Sequence, residues 1–169
     1  TAETAWRAGG ALFDEWRDRP VPASVVEDFR AVRPVLETGY EAIPLLRLVF
    51  LGTPRQRILD RFPSLRDEWI AKAGVSRAEL VSLFGGARDQ WIATDPESWL
   101  SRHSFYPDVV EKVRARLGKD DIHILTTKQE RFVQRLLEPA CPAFPHDRIF
   151  GLDRGASKED LLARLLDED

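Results

Sequence analysis

Through residues 1–104 the apolar positions recur every three or four residues, the spacing of helices that bury one face. Trp6, Leu12, Phe13 and Trp16 mark a first helix, weakened by Gly9 and Gly10 and stopped by Pro20 and Pro22. Ser24 and Glu27 have capping-box spacing ahead of Val25, Val26, Phe29 and Val32. Residues 34–51 carry a strongly apolar helix, Ile43 to Leu51, ended by Gly52. Thr53 then N-caps a helix with Pro54 at its first position. Phe62-Pro63-Ser64 separates that helix from 65–73, and Gly74 stops the latter. Ser76 and Glu79 cap the next helix, and Asp95-Pro96 opens a short one with Trp99 and Leu100.

Near residue 105 the pattern changes. A proline-led helix over 108–117 ends at Gly118, and short apolar runs then alternate with amphipathic ones. The order is a strand over 121–126, a helix over 128–138, a strand over 148–152 and a helix over 157–167 capped by Ser157. A β-α-β-α order predicts two parallel strands joined by a right-handed crossover. The expected fold class is therefore α/β, with a helical domain over 1–104 and a partial parallel sheet over 105–169. Two parallel strands cannot bury both faces alone, so the rest of the sheet is expected from sequence outside this chain. The sequence contains no methionine, which fits an N-terminus that was processed, trimmed or not included.

Composition narrows the class. The apolar fraction is 43% and the charged fraction 31%, which places the chain among globular rather than disordered sequences. Net charge is -3 with both signs interspersed, unlike the clustered Lys and Arg of a nucleic-acid footprint. The single cysteine, Cys141, cannot form an internal disulfide, which predicts a reducing, cytoplasmic setting. No signal peptide or membrane-length apolar run is present, so no membrane partner is expected.

The chemistry is concentrated where the strands end. Open α/β sheets bind ligands at the carboxyl edge of their strands. Thr126 and Thr127 end the first strand and Lys128 opens the next helix, so a hydroxyl and backbone N–H groups would face an anion there. Taken alone, these three residues read as a helix N-cap with no ligand. Lys158 lies in Gly155-Ala156-Ser157-Lys158, at a helix start where a lysine opposes the dipole unless an anion is bound. Taken alone, it reads as a surface lysine. Thr126 and Lys158 stand one strand-helix-strand repeat apart, which puts them at the same edge of neighbouring strands. A hydroxyl and an ammonium converging there suit a phosphate.

Tyr106-Pro107-Asp108-Val109-Val110, Ile124-Leu125-Thr126-Thr127-Lys128, Phe150-Gly151 and Ser157-Lys158-Glu159-Asp160 together resemble the haloacid dehalogenase-like (HAD) hydrolase superfamily, in its phosphoglycolate-phosphatase-like branch. The motifs cover 105–169; the likeness over 1–104 is one of architecture, a helical cap. The resemblance implies a Rossmann-like sheet with a mobile cap and Mg²⁺-dependent hydrolysis of a small phosphorylated metabolite through an aspartyl-phosphate. It implies that Thr126 binds the transferring phosphoryl group and that Lys158 neutralises charge around it, the two things phosphoryl transfer needs. Thr127 and Lys128 would complete the phosphate site. From the cap, Arg33, Glu37 and Tyr40 are the candidates for substrate selectivity, in a polar, glycine-interrupted stretch of an otherwise apolar lobe.

The sequence departs from the family at two points. The family's Asp-x-Asp pair, which supplies nucleophile and general acid, has no counterpart on a strand; Asp167-Glu168-Asp169 follows a helix. The acids of the last family motif, which hold the metal, would lie beyond Asp169. No residue here is therefore assigned as nucleophile or metal ligand, and the chain is expected to be inactive without those segments. His103, His123 and His146 lack metal-ligand spacing and read as structural; Cys141 reads as a packed loop residue and the five tryptophans as core. The runner-up class is a non-catalytic HAD-like binding module, and a phosphomutase or dehalogenase stays open within the enzyme class. Oligomeric state is not legible.

Overall fold

The computed structural model describes residues 1–126 and 128–167. It corrects the expected fold class. The chain is about 70% helix and only 4% strand, a mostly helical protein rather than an α/β, Rossmann-like one. The apolar runs over 121–126 and 148–152 yield just β1 (Ile124–Leu125) and β2 (Ile149–Phe150). They pair in parallel, with Ile124 opposite Ile149 and Leu125 opposite Phe150. A ladder with a single partner strand has little apolar face to bury, so it stays at two residues a side. Among the described residues no helix is long and apolar enough to cross a membrane.

The helices run α1 (Ala2–Gly9), α2 (Ala23–Val32), α3 (Ala42–Phe50), α4 (Arg55–Ala73), α5 (Arg77–Thr94), α6 (Pro96–Ser101), α7 (Pro107–Arg116), α8 (Glu130–Ala140) and α9 (Lys158–Asp167). Two compact units contain them, residues 1–96 and 97–169. The sequence pattern changes a few residues later, at 104/105.

In the first unit, α1 packs against α3 and α5, and α2 against α3 and α4. The core holds Trp6, Trp16, Phe29, Ile43, Leu45, Leu46, Ile58, Phe62 and Leu80. Each such side chain removed from water stabilises the unit by about 1.5–3 kcal/mol. The first helix stops at Gly9 instead of running to Trp16, because the chain folds back there. A Cβ at Gly9 would lie 2.3 Å from the Trp16 ring, so only glycine lets that ring close onto Trp6, 4.4 Å away and stacked.

Two expected caps changed. Helix α2 begins at Ala23, so Ser24 falls inside it and its box with Glu27 does not form. Pro54, not Thr53, is the N-cap of α4. The expected helix from Ile43 to Leu51 forms as α3, one residue earlier at each end, behind a short turn (Arg33–Val35), an extended Leu36 and a capped turn starting at Thr38. The Ser76–Glu79 box forms and Gly74 takes the left-handed C-cap (φ 66°). The expected break near Pro63 is a kink: α4 consists of two helical segments joined at Arg61 (φ -137°, ψ 19°), and Pro63 falls in the first turn of the second.

The second unit buries Val133, Cys141, Phe144 and Ile149, with Val113, Leu117, Ile122, Ile124 and Leu137 packed around them. The apolar face of α8 lies on β2, and α9 packs near β1. Helix α7 is led by Pro107 at its first turn and followed by Gly118 at φ 82°.

Candidate functional site

The candidate site is the carboxyl end of the β1–β2 pair. Thr126 extends the ladder by one bond: its N–H donates to the Phe150 carbonyl at 2.9 Å. Its hydroxyl oxygen accepts from the Lys128 N–H at 3.1 Å, a local turn that starts the approach to α8. A hydroxyl that accepts one backbone bond still has its proton to donate. Thr127 lies outside the described residues. Lys128 is exposed, in the bend before α8.

Lys158 is the first residue of α9 and is exposed. Its helix start is fixed by a reciprocal cap. The Asp160 N–H donates to the Ser157 hydroxyl at 3.1 Å, and the Asp160 carboxylate accepts from the Ser157 hydroxyl at 2.8 Å and from its N–H at 3.3 Å. Thr126 and the loop carrying Lys158 therefore both leave the carboxyl ends of paired parallel strands.

The cross-link between those loops was not legible in the sequence. The Glu130 N–H, at the start of α8, donates to the Asp153 carboxylate at 2.7 Å. The Glu130 carboxylate accepts from the Gly151 N–H at 3.1 Å and from Arg154 Nε at 2.6 Å. Arg154 also lies over the Phe150 ring, 5.0 Å from its centroid. Gly151 makes this possible: a Cβ there would sit 2.6 Å from the Lys128 carbonyl oxygen and 2.8 Å from the Glu130 nitrogen. One amide at the α8 start is thus already engaged by a carboxylate, so the hydroxyl and the ammonium, more than that helix end, are the groups free to meet an anion. No local pattern links Glu130 to Asp153 across the sequence.

The cap-side candidates divide. Arg33 and Glu37 are exposed, whereas Tyr40 is only 6% exposed and sits in the core of the first unit with the Arg77 guanidinium 4.9 Å above its ring. Beside them stands Glu41, a buried carboxylate the sequence reading passed over. It accepts from the Glu37 and Thr38 N–H groups at 2.9 and 2.8 Å and is paired with Arg66. Burial pushes its carboxyl up, but the Thr38 N–H, Arg66 and the Glu37 N–H together hold it below its ordinary value. The Thr38-x-x-Glu41 spacing was the signal that could have found it.

His103 donates or accepts nothing that resembles a metal site: its Nδ1 lies 2.9 Å from the Trp99 carbonyl, and burial shifts its pKa down. A bond to a carbonyl requires Nδ1 to carry the proton. Cys141 is buried. The described residues contain no group of three His, Cys, Asp or Glu side chains able to hold a metal ion. Comparison with known proteins returns no match, whether with family models, curated proteins or solved structures.

Proposed function

We propose that this chain handles the phosphoryl group of a small phosphorylated metabolite, as a phosphatase of the HAD type that its motifs resemble. One observation supports the reading above the rest: in-register parallel pairing of β1 and β2 puts Thr126 and the Lys158 loop at the same end of both strands. Thr126 donates its hydroxyl proton to a phosphoryl oxygen while its lone pair stays on the Lys128 N–H. Lys158 offsets the charge that the phosphoryl oxygens carry in the transition state. No step is assigned to the Mg²⁺ of the resembling family. No nucleophile is assigned.

The test is a screen of small phosphate esters on the intact protein, with Mg²⁺ and with chelator, beside a ³¹P titration of inorganic phosphate. Lys158→Ala is expected to cut turnover by about 10²–10³, the usual effect of deleting one electrostatic contact to the transition state. Thr126→Ala is expected to cost less, because a backbone N–H can hold the same oxygen. Turnover and phosphate affinity equal to wild type in both variants would sink the reading.

A further inference from the structure

We infer that Glu130, with Asp153 and Arg154, is a positioning group that sets Lys158 against Thr126; this rests on the phosphate reading above. The two loops that carry Thr126 and Lys158 are separate in sequence, and each has its own local bonds, Lys128 N–H to Thr126 in one and the Ser157–Asp160 cap in the other. Beyond the ladder bond from the Thr126 N–H to the Phe150 carbonyl, two carboxylates join them, those of Glu130 and Asp153. Glu130 Oε1 takes the Gly151 N–H at 3.1 Å, at the first residue after β2, and Arg154 Nε at 2.6 Å, three residues further along. Glu130's own N–H returns a bond to the Asp153 carboxylate at 2.7 Å. The Arg154 N–H donates to the Gly151 carbonyl at 3.1 Å, which closes the turn that leads to α9.

The arrangement ties the α8 start to the β2–α9 turn by a reciprocal pair of bonds, at a point where Gly151 leaves no room for a Cβ. The Glu130–Arg154 pair is charge-assisted, with Glu130 side chain 21% exposed and Arg154 42%, so water competes only partly for it. Thr126 sits on the α8 side of this tie and Lys158 on the α9 side. Releasing the tie frees the turn that carries the lysine while leaving the strand pair and the hydroxyl where they are. Glu130 itself offers a negative charge and so is not a ligand for phosphate; its effect passes through Lys158.

The experiment uses the full chain and two readouts. Amide hydrogen exchange over 155–160 is compared in wild type, Glu130→Ala and Glu130→Gln, with Cys141 thiol labelling as a check that the second unit stays folded. Glu130→Ala is expected to speed exchange there at least tenfold, and Glu130→Gln, whose amide oxygen still accepts both bonds, to restore most of the protection. If Glu130→Ala exposes Cys141, Arg154→Ala replaces it, since that variant keeps both backbone bonds. Exchange at the wild-type rate in the breaking variant overturns the inference. The second readout is inorganic phosphate affinity in a cycle of Glu130→Ala with Lys158→Ala. A misplaced contact costs about tenfold or more, and the Glu130 loss should vanish once Lys158 is gone. Equal losses with and without Lys158 overturn the positioning role. Failure of the wild type to bind phosphate sinks the phosphate reading alone, and exchange then decides the tie.

Discussion

Glu41→Ala offers the sharpest check on how the first unit is held together. The carboxylate is 2% exposed and is the acceptor for two backbone N–H groups and for Arg66. Removing one member of a buried ion pair costs about 3–5 kcal/mol, because the other charge is left behind. Arg66 is 21% exposed and keeps Asp67 at 2.8 Å, which moves the expectation to the lower end, about 3 kcal/mol. For a unit of this size that is a fall in Tm of roughly 12 °C or more. The readout is circular dichroism of the Trp6–Trp16 stack, which belongs to this unit alone. pH supplies the second arm. The folded-state pKa of Glu41 lies below its ordinary 4.5, so its contribution is complete above that value and fades as pH falls through the folded pKa. The stability gap between wild type and Glu41→Gln should hold above pH 4.5 and close below it. Glu15, Asp67 and Glu79 are also held low, so only the difference between the two proteins isolates Glu41. A gap unchanged down to about pH 3, or a Glu41→Ala cost under about 1 kcal/mol, would refute the reasoning.

Two glycines should respond in opposite directions. Gly151→Ala is expected to destabilise the second unit by about 1–3 kcal/mol through overpacking, seen as faster labelling of Cys141, the only thiol in the chain. Gly86→Ala, on the exposed face of α5 with nothing near the new methyl, is expected to stabilise the first unit by about 0.5–1 kcal/mol in urea denaturation. Destabilisation there would show that the glycine is needed for something other than helix entropy.

Much of the helical part was legible because its signals are local. Ser76 and Glu79 are three residues apart, Pro107 leads α7 and Gly74 ends α4, and none of these depends on distant chain. The strand order of the second unit was legible for the same reason, since strand-helix alternation dictates parallel pairing. The Ser24 and Thr53 caps did not form: α2 begins one residue before Ser24, and Pro54 stands at the N-cap of α4. The turn ahead of α3 is held by Glu41, which takes the local Glu37 and Thr38 N–H groups and also Arg66, a residue 25 positions away.

The sequence by itself determined which residues could be helical, where most helices stop, and that Thr126 and Lys158 follow parallel strands. It could not determine how much sheet those strands would make, because strand length depends on which neighbours supply the second face and not on the apolar run itself. Nor could it show that Trp16 returns onto Trp6 over Gly9, or that Glu130 ties Gly151 and Arg154 across the strand ends. Those are decided by close approach between segments far apart in the chain, where a few ångströms separate a bond from a clash, and distances of that kind exist only once the chain is folded.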